Sequence, residues 1–229
     1  VLPFAKRRTV GPFVFFDHMG PVVFGPGKGV NVRPHPHIGL ATVTYLFDGR
    51  IVHRDSLGTD IAVKPGAVNW MVAGRGIVHS ERTAAEDLGR DAPMEGIQAW
   101  VGLPSADEET DPVFAHHAAD DLPVFDRDGV TYRIIAGAAF GQSAPVTVFS
   151  PIFYLHGEAP AGSMIDLPGD YAERAIYIVS GSVSVDGENH DNGRMIVFAA
   201  GAAPVIEARA DTRFMLLGGA PLDGKRTVW

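Results

Sequence analysis

The sequence predicts an all-β protein that contains two copies of one small barrel or sandwich domain. Short stretches rich in β-branched and aromatic residues recur along the chain, and glycine-containing turns close most of them. No long stretch has the 3.6-residue spacing of apolar side chains that an amphipathic helix requires. The two halves of the chain also resemble each other, which favours a duplicated domain over one large sheet.

Composition excludes several classes of protein. The chain has 229 residues, of which 46% are hydrophobic, and it has no cysteine. Disulfides, cysteine-bound zinc, iron–sulfur clusters and a thiol nucleophile are therefore excluded. The net charge of −8 argues against direct binding to nucleic acid. No apolar run reaches the ~18 residues of a membrane span. We expect a cytoplasmic protein that binds neither nucleic acid nor membrane.

Four strands stand out, each short and bounded by glycine or a turn dipeptide. They cover residues 41–47, 68–72, 176–179 and 183–185. Ser105, with Glu108 three residues later, forms the capping-box pattern of a short helix. These two residues lie in the acidic stretch 102–128, which we interpret as a polar connection that contains a helical turn and one strand. We therefore predict one domain over residues 1–120 and a second over residues 121–229.

The repeat has two matching segments. Residues 45–49 match residues 177–181 at an offset of 132, and residues 66–74 match residues 193–201 at an offset of 127. A loop that is five residues shorter in the second half would reconcile the two offsets. Two copies of one β-domain are the simplest explanation.

Two short motifs could bind a metal ion. His35 and His37 flank Pro36, and His79 and Glu81 flank Ser80. In a strand, residues i and i+2 point to the same face. If the two strands face each other, three imidazoles and one carboxylate converge, and such a set suits a first-row divalent metal better than calcium.

A simpler alternative exists for each motif. A lone His-x-His is often a pair of surface histidines, and Pro34 and Pro36 confine their segment to a strand edge or an irregular stretch. His53 lies two residues before Asp55, and an ordinary hydrogen-bonded pair would explain it. Other catalytic templates are absent, because the sequence has no Gly-x-Ser-x-Gly elbow, Walker loop or dinucleotide fingerprint.

Residues 11–82 resemble the N-terminal cupin domain of the pirin family. The matching pieces are Gly11-Pro12-Phe13, Phe16-Asp17-His18-Met19-Gly20-Pro21, His35-Pro36-His37-Ile38-Gly39, Trp70-Met71 and Gly74-Arg75-Gly76-Ile77-Val78-His79-Ser80-Glu81. The resemblance implies a bicupin of two face-to-face β-barrels with short helical connections. It further implies one metal per chain, most often iron(II), held in the first barrel by His35, His37, His79 and Glu81. Manganese, cobalt, nickel, copper or zinc would suit the same ligands.

The resemblance also implies a function. Bacterial pirins resemble quercetin 2,3-dioxygenases, in which O₂ opens the heterocycle of a flavonol. The expected partners are then a small aromatic, flavonol-like substrate and O₂, with Glu81 as a catalytic base. Phe13, Phe16, His18 and Trp70 are the candidate pocket residues, and Phe15 is a further aromatic near them. Ordinary packing in or at the edge of the core is the alternative for each of them. The alternative is a non-enzymatic iron-binding regulator or redox sensor that acts through a protein partner.

The second domain is expected to be structural. At the offset of 132, His35 and His37 correspond to Leu167 and Gly169. At the offset of 127, His79 and Glu81 correspond to Ile206 and Ala208. None of these four residues has a side chain that binds a metal.

Overall fold

A computed structural model describes residues 1–226, and these residues form two compact units. The first unit contains Val14–Asp121 and Arg226, and the second contains Val1–Phe13 and Leu122–Lys225. The first thirteen residues thus belong to the second unit, where Glu173 accepts a 2.7 Å hydrogen bond from the Gly11 amide and pairs with Arg7 at 3.2 Å. The sequence-based division into residues 1–120 and 121–229 placed these thirteen residues in the first domain instead.

The first unit holds its strands in two antiparallel sheets. One has the order β1-β8-β3-β6-β9 and the other the order β2-β7-β4-β5. The strands are β1 (Phe13–Phe24), β2 (Asn31–His37), β3 (Leu40–Asp48), β4 (Ile51–Asp55), β5 (Asp60–Val63), β6 (Val68–Val72), β7 (Ile77–Thr83), β8 (Ala92–Gly102) and β9 (Val113–His117). Strand β9 lies inside the acidic stretch, where one strand was expected, and it pairs with β6 along its whole length.

The second unit repeats this plan. Its larger sheet has the order β10-β11-β13-β19-β14-β17, with β12 beside β11, and its smaller sheet the order β16-β15-β18. The strands are β10 (Val124–Arg127), β11 (Val130–Ala139), β12 (Gln142–Ser143), β13 (Ile152–Ala159), β14 (Glu173–Ser180), β15 (Ser182–Val185), β16 (Glu188–Asp191), β17 (Met195–Phe198), β18 (Ile206–Ala208) and β19 (Thr212–Gly219). The predicted all-β fold is confirmed.

Helices are nearly absent. Residues 1–226 contain only two single-turn 3₁₀ helices, Ala85–Asp87 and Ala119–Asp121, and none of these residues forms a helix long and apolar enough to cross a membrane. The helix predicted from Ser105 is wrong. Two successive turns form instead, in which the Asp107 amide donates to Pro104 and the Thr110 amide to Asp107. The Thr110 carbonyl then accepts from the Arg75 amide, a long-range contact that fixes the loop.

Strand register confirms the internal repeat. Tyr45 pairs with Val68 in β3 and β6, and Tyr177 pairs with Met195 in β14 and β17, at the predicted offsets of 132 and 127. A register shift follows Leu46 in the pairing of β3 with β8, and one follows Ile178 at the same place in the repeat. The two halves therefore share strand order, register and irregularities.

The loop that reconciles the offsets is the β4–β5 hairpin. Ile51 pairs with Val63 in the first unit, and Val183 pairs with His190 in the second, so the second hairpin is five residues shorter. The segment that leads into β7 is also two residues longer than the segment that leads into β18. Glu81 lies opposite His53, and Ile206 occupies the corresponding position opposite Val185.

This second difference corrects part of the sequence alignment. Glu81 corresponds to Ile206, and His79 corresponds by extension to Pro204, instead of to Ala208 and Ile206. The conclusion is unchanged, because neither Ile206 nor Pro204 has a side chain that binds a metal.

The β3–β4 turn offers a test of this packing. Gly49 has φ +79°, and a Cβ there would lie 2.1 Å from the Pro93 carbonyl oxygen, whereas Gly58 has φ +92° with open space around it. Gly58→Ala should cost about 1–2 kcal/mol, because an L-residue is strained in the left-handed region. Gly49→Ala should cost clearly more, because it adds a clash with backbone. Urea denaturation measures both free energies of unfolding, and equal losses would contradict the packing.

Candidate metal centre

Antiparallel pairing of β2 with β7 brings the two histidine motifs together. His35 lies directly opposite His79, and His37 shares the face of His35 because it is two residues further along β2. The ring centroids are 4.4 Å apart for His35 and His79, 4.8 Å for His35 and His37, and 5.0 Å for His37 and His79. One nitrogen from each ring lies within 4.8 Å of the others. The structure thus brings the three predicted histidines into one cluster.

Glu81 lies beside this cluster and belongs to a second, overlapping group. Its carboxylate lies within 4.8 Å of nitrogens of His53 and His79. Thr44 Oγ1 is 3.0 Å from Glu81 Oε1 and 2.9 Å from Gln98 Oε1. Burial raises the pKa of Glu81, and the hydrogen bond from Thr44 opposes the rise. His79 is common to both groups, so a ligand set of three histidines and Glu81 centres on His79.

Burial keeps two of the histidines neutral. It lowers the pKa of His37 to about 4, with a further contribution from the charge of His35. It lowers the pKa of His79 to about 3, with contributions from His35, His37 and His53. A metal binds the neutral imidazole, so these two rings need lose no proton at neutral pH before they bind one.

The two nitrogens of His79 have different surroundings. Nε2 is buried without a hydrogen-bond partner, which is costly for a polar atom unless a ligand satisfies it. Nδ1 lies 3.3 Å from Nδ1 of His53. A metal ion at Nε2 would satisfy the buried atom, and the nitrogen and oxygen donors around it suit a first-row divalent metal.

A chain of hydrogen bonds fixes the tautomer of His79. His53 Nε2 lies 2.9 Å from Asp55 Oδ2, so the carboxylate accepts the proton on Nε2. His53 Nδ1 is then an acceptor, and His79 Nδ1 donates to it, which leaves the lone pair of His79 on Nε2. Burial by itself would raise the pKa of Asp55, but hydrogen bonds from His53, Thr59 and Leu57 lower it overall. The expected His53–Asp55 pair is therefore present, and it orients a candidate ligand.

Aromatic rings surround the cluster. Trp100 contacts His37 with centroids 5.0 Å apart, and Phe15 stacks on Trp100 at 4.3 Å. Phe114 stacks on His53 at 4.4 Å. Phe15 was among the aromatic residues expected near the pocket, whereas Trp100 and Phe114 were not identified from the sequence. A signal for Trp100 exists, because Gln98 and Trp100 alternate with apolar residues along β8 and so face the same side as Thr44.

Three of the candidate pocket residues are buried, as the alternative of core packing expects. Phe13 and Phe16 are fully buried and offer no surface to a ligand, and Phe13 packs against Tyr154, a buried residue of the second unit. Trp70 follows Asn69, which pairs with Thr44 on the cluster side of the sheet, so Trp70 points to the opposite side. The direction of the Trp70 side chain follows from alternation along β6, and the sequence alone does not show how β6 pairs with β3.

His18 remains a predicted pocket residue. Its Nε2 lies 3.2 Å from Glu95 Oε1, and its ring meets Phe47 edge-on at 6.4 Å. A histidine with a carboxylate partner and an aromatic neighbour is well held in place. These contacts position the ring without showing a role in binding.

The hydrogen-bond chain predicts an effect on metal affinity. Asp55→Asn should weaken binding of a divalent metal by roughly 10–100-fold, because the amide can present either an oxygen or an NH₂ to His53 and no longer fixes the tautomer of His79. Competition with a chromophoric chelator measures the affinity. Asp60→Asn on the same hairpin is the matched control, because Asp60 is exposed and pairs only with Arg54 among the contacts described. Equal affinities for both variants would contradict the role of Asp55.

Comparison with known proteins agrees with the fold. The family model for pirin matches residues 1–101, and that for the pirin C-terminal cupin domain matches residues 154–229. A pirin-like protein of Caulobacter vibrioides is 50% identical, with 100% of this chain and 80% of the relative covered. Human pirin is 30% identical, with 95% and 74% covered. A crystal structure of quercetin 2,3-dioxygenase from Acinetobacter baumannii superposes with a TM-score of 0.90 at 33% identity, covering 100% of this chain and 75% of that one. The protein is therefore a bicupin that belongs to the pirin family.

Proposed function

We propose that this protein is a metal-dependent dioxygenase that opens the heterocycle of a flavonol with O₂. The observation that carries the proposal is the His35, His37 and His79 cluster, in which His79 Nε2 is buried without a partner and Glu81 lies alongside. The structural similarity to a quercetin 2,3-dioxygenase supports the same reaction class.

The metal is proposed to be iron(II), one per chain, held by these three histidines and Glu81. Manganese, cobalt, nickel, copper and zinc accept the same mixture of nitrogen and oxygen donors. A redox-active ion held by these residues would offer open coordination positions, lower the pKa of a flavonol hydroxyl and mediate electron transfer to O₂, whereas zinc would supply only the first two effects. The residues of this chain bind the ion, exclude water and handle the substrate proton.

Glu81 is the proposed proton acceptor. Burial raises its pKa, so its carboxylate is a stronger base than an exposed glutamate. Thr44 holds one carboxylate oxygen at 3.0 Å, which fixes the direction of the other. We propose that Glu81 accepts the proton of the flavonol 3-hydroxyl and supplies the single negative charge of the ligand set.

The aromatic residues are proposed to bind the flat substrate. Trp100 and Phe15 stack on each other beside His37, and Phe114 lies beside His53. Flat apolar side chains next to a polar centre are typical of sites for small aromatic ligands. His18 stays a candidate at the edge of this surface.

Metal removal tests the reaction. The purified protein should consume quercetin slowly in air with release of carbon monoxide, chelation should abolish turnover, and reloading with iron(II) should restore it. Quercetin absorbance and carbon monoxide are measured on the same preparations. Quercetin loss without carbon monoxide, or turnover that survives chelation, would contradict the dioxygenase and favour a binding or redox-sensing protein.

Substitution of Glu81 tests the base. Glu81→Gln keeps the side-chain size and one oxygen donor, so it should retain measurable metal while turnover falls by roughly 100-fold or more, the usual loss for a general base. His79→Ala should lose metal and turnover together, because it removes the central ligand. Glu86→Gln is the control, since Glu86 is exposed and pairs with Arg50 at 2.8 Å. Full turnover in Glu81→Gln would rule out the base role.

A further inference from the structure

The second unit carries a buried arginine at the position that lies beside the metal centre in the first. Arg174 pairs with Phe198 in β14 and β17, and the repeat makes these residues the counterparts of Thr42 and Met71. Its side chain shares the inner face of β14 with Ile176 and Ile178, which belong to the core of the unit. A cationic side chain thus enters the second barrel where the first barrel has a threonine.

The segments around Arg174 correspond to those that carry the metal ligands. Met164 bridges to Glu207 in the second unit, as Asn31 pairs with Arg82 in the first. The chain that follows Met164 therefore takes the place of β2, which holds His35 and His37. Arg174 donates from Nη1 to the Pro168 carbonyl in this segment at 3.4 Å. It donates from Nη2 to the Ala202 carbonyl at 2.6 Å.

The charge of Arg174 has no counterion. The residue is 3% exposed, and within residues 1–226 no carboxylate lies within ion-pair distance of it. Its Nε is buried without a hydrogen-bond partner. The adjacent Glu173 is committed to Arg7 and the Gly11 amide. A buried guanidinium with only two neutral acceptors is unfavourable, because arginine is rarely buried without a paired anion.

A cavity of about 320 Å³ adjoins this guanidinium. Ile165, Leu167 and Pro204 give it an apolar patch, but polar groups make up more of its lining, in part because Gly169 and Gly201 leave the backbone uncovered. Asp166 also lines it, but its carboxylate pairs with Arg127. The volume is at the lower end of the range of about 300–1,000 Å³ that is common for small-molecule sites.

We propose that this cavity binds a small carboxylate with an apolar body, and that Arg174 is its anion-binding residue. A planar guanidinium matches a carboxylate in shape and can donate two parallel hydrogen bonds. The donors to the carboxylate are the Nε–H of Arg174 and those of its N–H groups that do not bond to the carbonyls of Pro168 and Ala202. The apolar patch contacts the rest of the ligand. The second barrel then keeps a ligand site in which a fixed cation takes the place of a metal.

Binding of benzoate to the metal-free full chain tests the proposal. Calorimetry should give a dissociation constant of roughly millimolar, as expected for so small a ligand. Benzamide, its neutral analogue, should bind roughly tenfold more weakly or not at all, because it lacks the charge. Inorganic phosphate should also bind more weakly, since it cannot use the apolar patch. Equal binding of benzoate and benzamide, or no binding of benzoate, would overturn the proposal.

Variants locate the site. Arg174→Met keeps much of the side-chain volume and should weaken benzoate binding by roughly tenfold or more, since one partner of a buried charge pair is lost. Arg209→Met in the same unit is the control, because Arg209 is half exposed and pairs with Glu207 at 3.0 Å. Arg174→Lys keeps the charge, so if Arg174→Met does not fold, the lysine variant should still bind benzoate, but less tightly than the wild type.

One structural explanation competes with the proposal. Arg174 could serve only to tie the Pro168 and Ala202 segments together through their carbonyl groups. Benzoate would then leave the melting temperature of the wild type unchanged while Arg174→Met lowered it. A ligand-dependent rise in melting temperature that disappears in Arg174→Met supports the anion site. Because the experiment uses metal-free protein, its result is independent of the dioxygenase proposal.

Discussion

The candidate metal centre depends on the register between β2 and β7. This pairing sets His35 opposite His79 and places His37 on the same face of the sheet. A slip of one residue in either strand would turn its two ligand residues to the other face, because side chains alternate along a strand. The register shift between Val32 and His35 is part of this arrangement. Strand β7 is also fixed from its other side by β4, which carries His53 and Asp55.

Burial links this geometry to the properties of the ligands. The same packing that positions His37 and His79 lowers their pKa values to about 4 and about 3, from an ordinary value of 6.5. Between pH 6.5 and these lower values the unfolded chain takes up protons that the folded chain does not, so the metal-free protein loses stability as the pH falls. A bound metal offsets the cost of keeping neutral imidazoles buried, because it binds the folded form.

The ligand motifs could be predicted because they are local. His35-Pro36-His37 and His79-Ser80-Glu81 each place two ligand types at the two-residue spacing of a strand, and the offsets of the repeat located equivalent strands in both halves. The surroundings could not be predicted in the same way. Trp100 and Phe114 meet the cluster only because β8 and β9 flank β3 and β6.

The residues that the sequence placed incorrectly are also those whose positions depend on contacts far along the chain. Phe13 packs against Tyr154 of the second unit, although it directly precedes the first unit in sequence. Trp70 was assigned to the pocket because of its type, whereas the pairing of Asn69 with Thr44 directs it to the other side of β6. The offset at β18 differs by two residues because the chain from Gly201 to Ile206 is two residues shorter than the chain from Gly74 to Glu81. Residue type indicates which chemistry is available, and long-range strand pairing determines where it lies.

Under the two proposals, the repeat carries two kinds of site on one fold. The pairing of β14 with β17 in the second half keeps the register of β3 with β6 in the first. The first half has metal-ligand candidates at four positions. The second half has Leu167, Gly169, Pro204 and Ile206 at those positions, with Arg174 nearby. A metal needs lone pairs, which none of these five side chains offers. We therefore expect metal to be bound only by the first unit.

Anomalous diffraction from crystals loaded with iron(II) tests this account most directly. It predicts one strong anomalous peak per chain, within coordination distance of one nitrogen each from His35, His37 and His79 and of an oxygen of Glu81. A peak bounded by His53 Nδ1 instead of the His35 and His37 nitrogens, or a second peak beside Ile206 or Arg174, would contradict it.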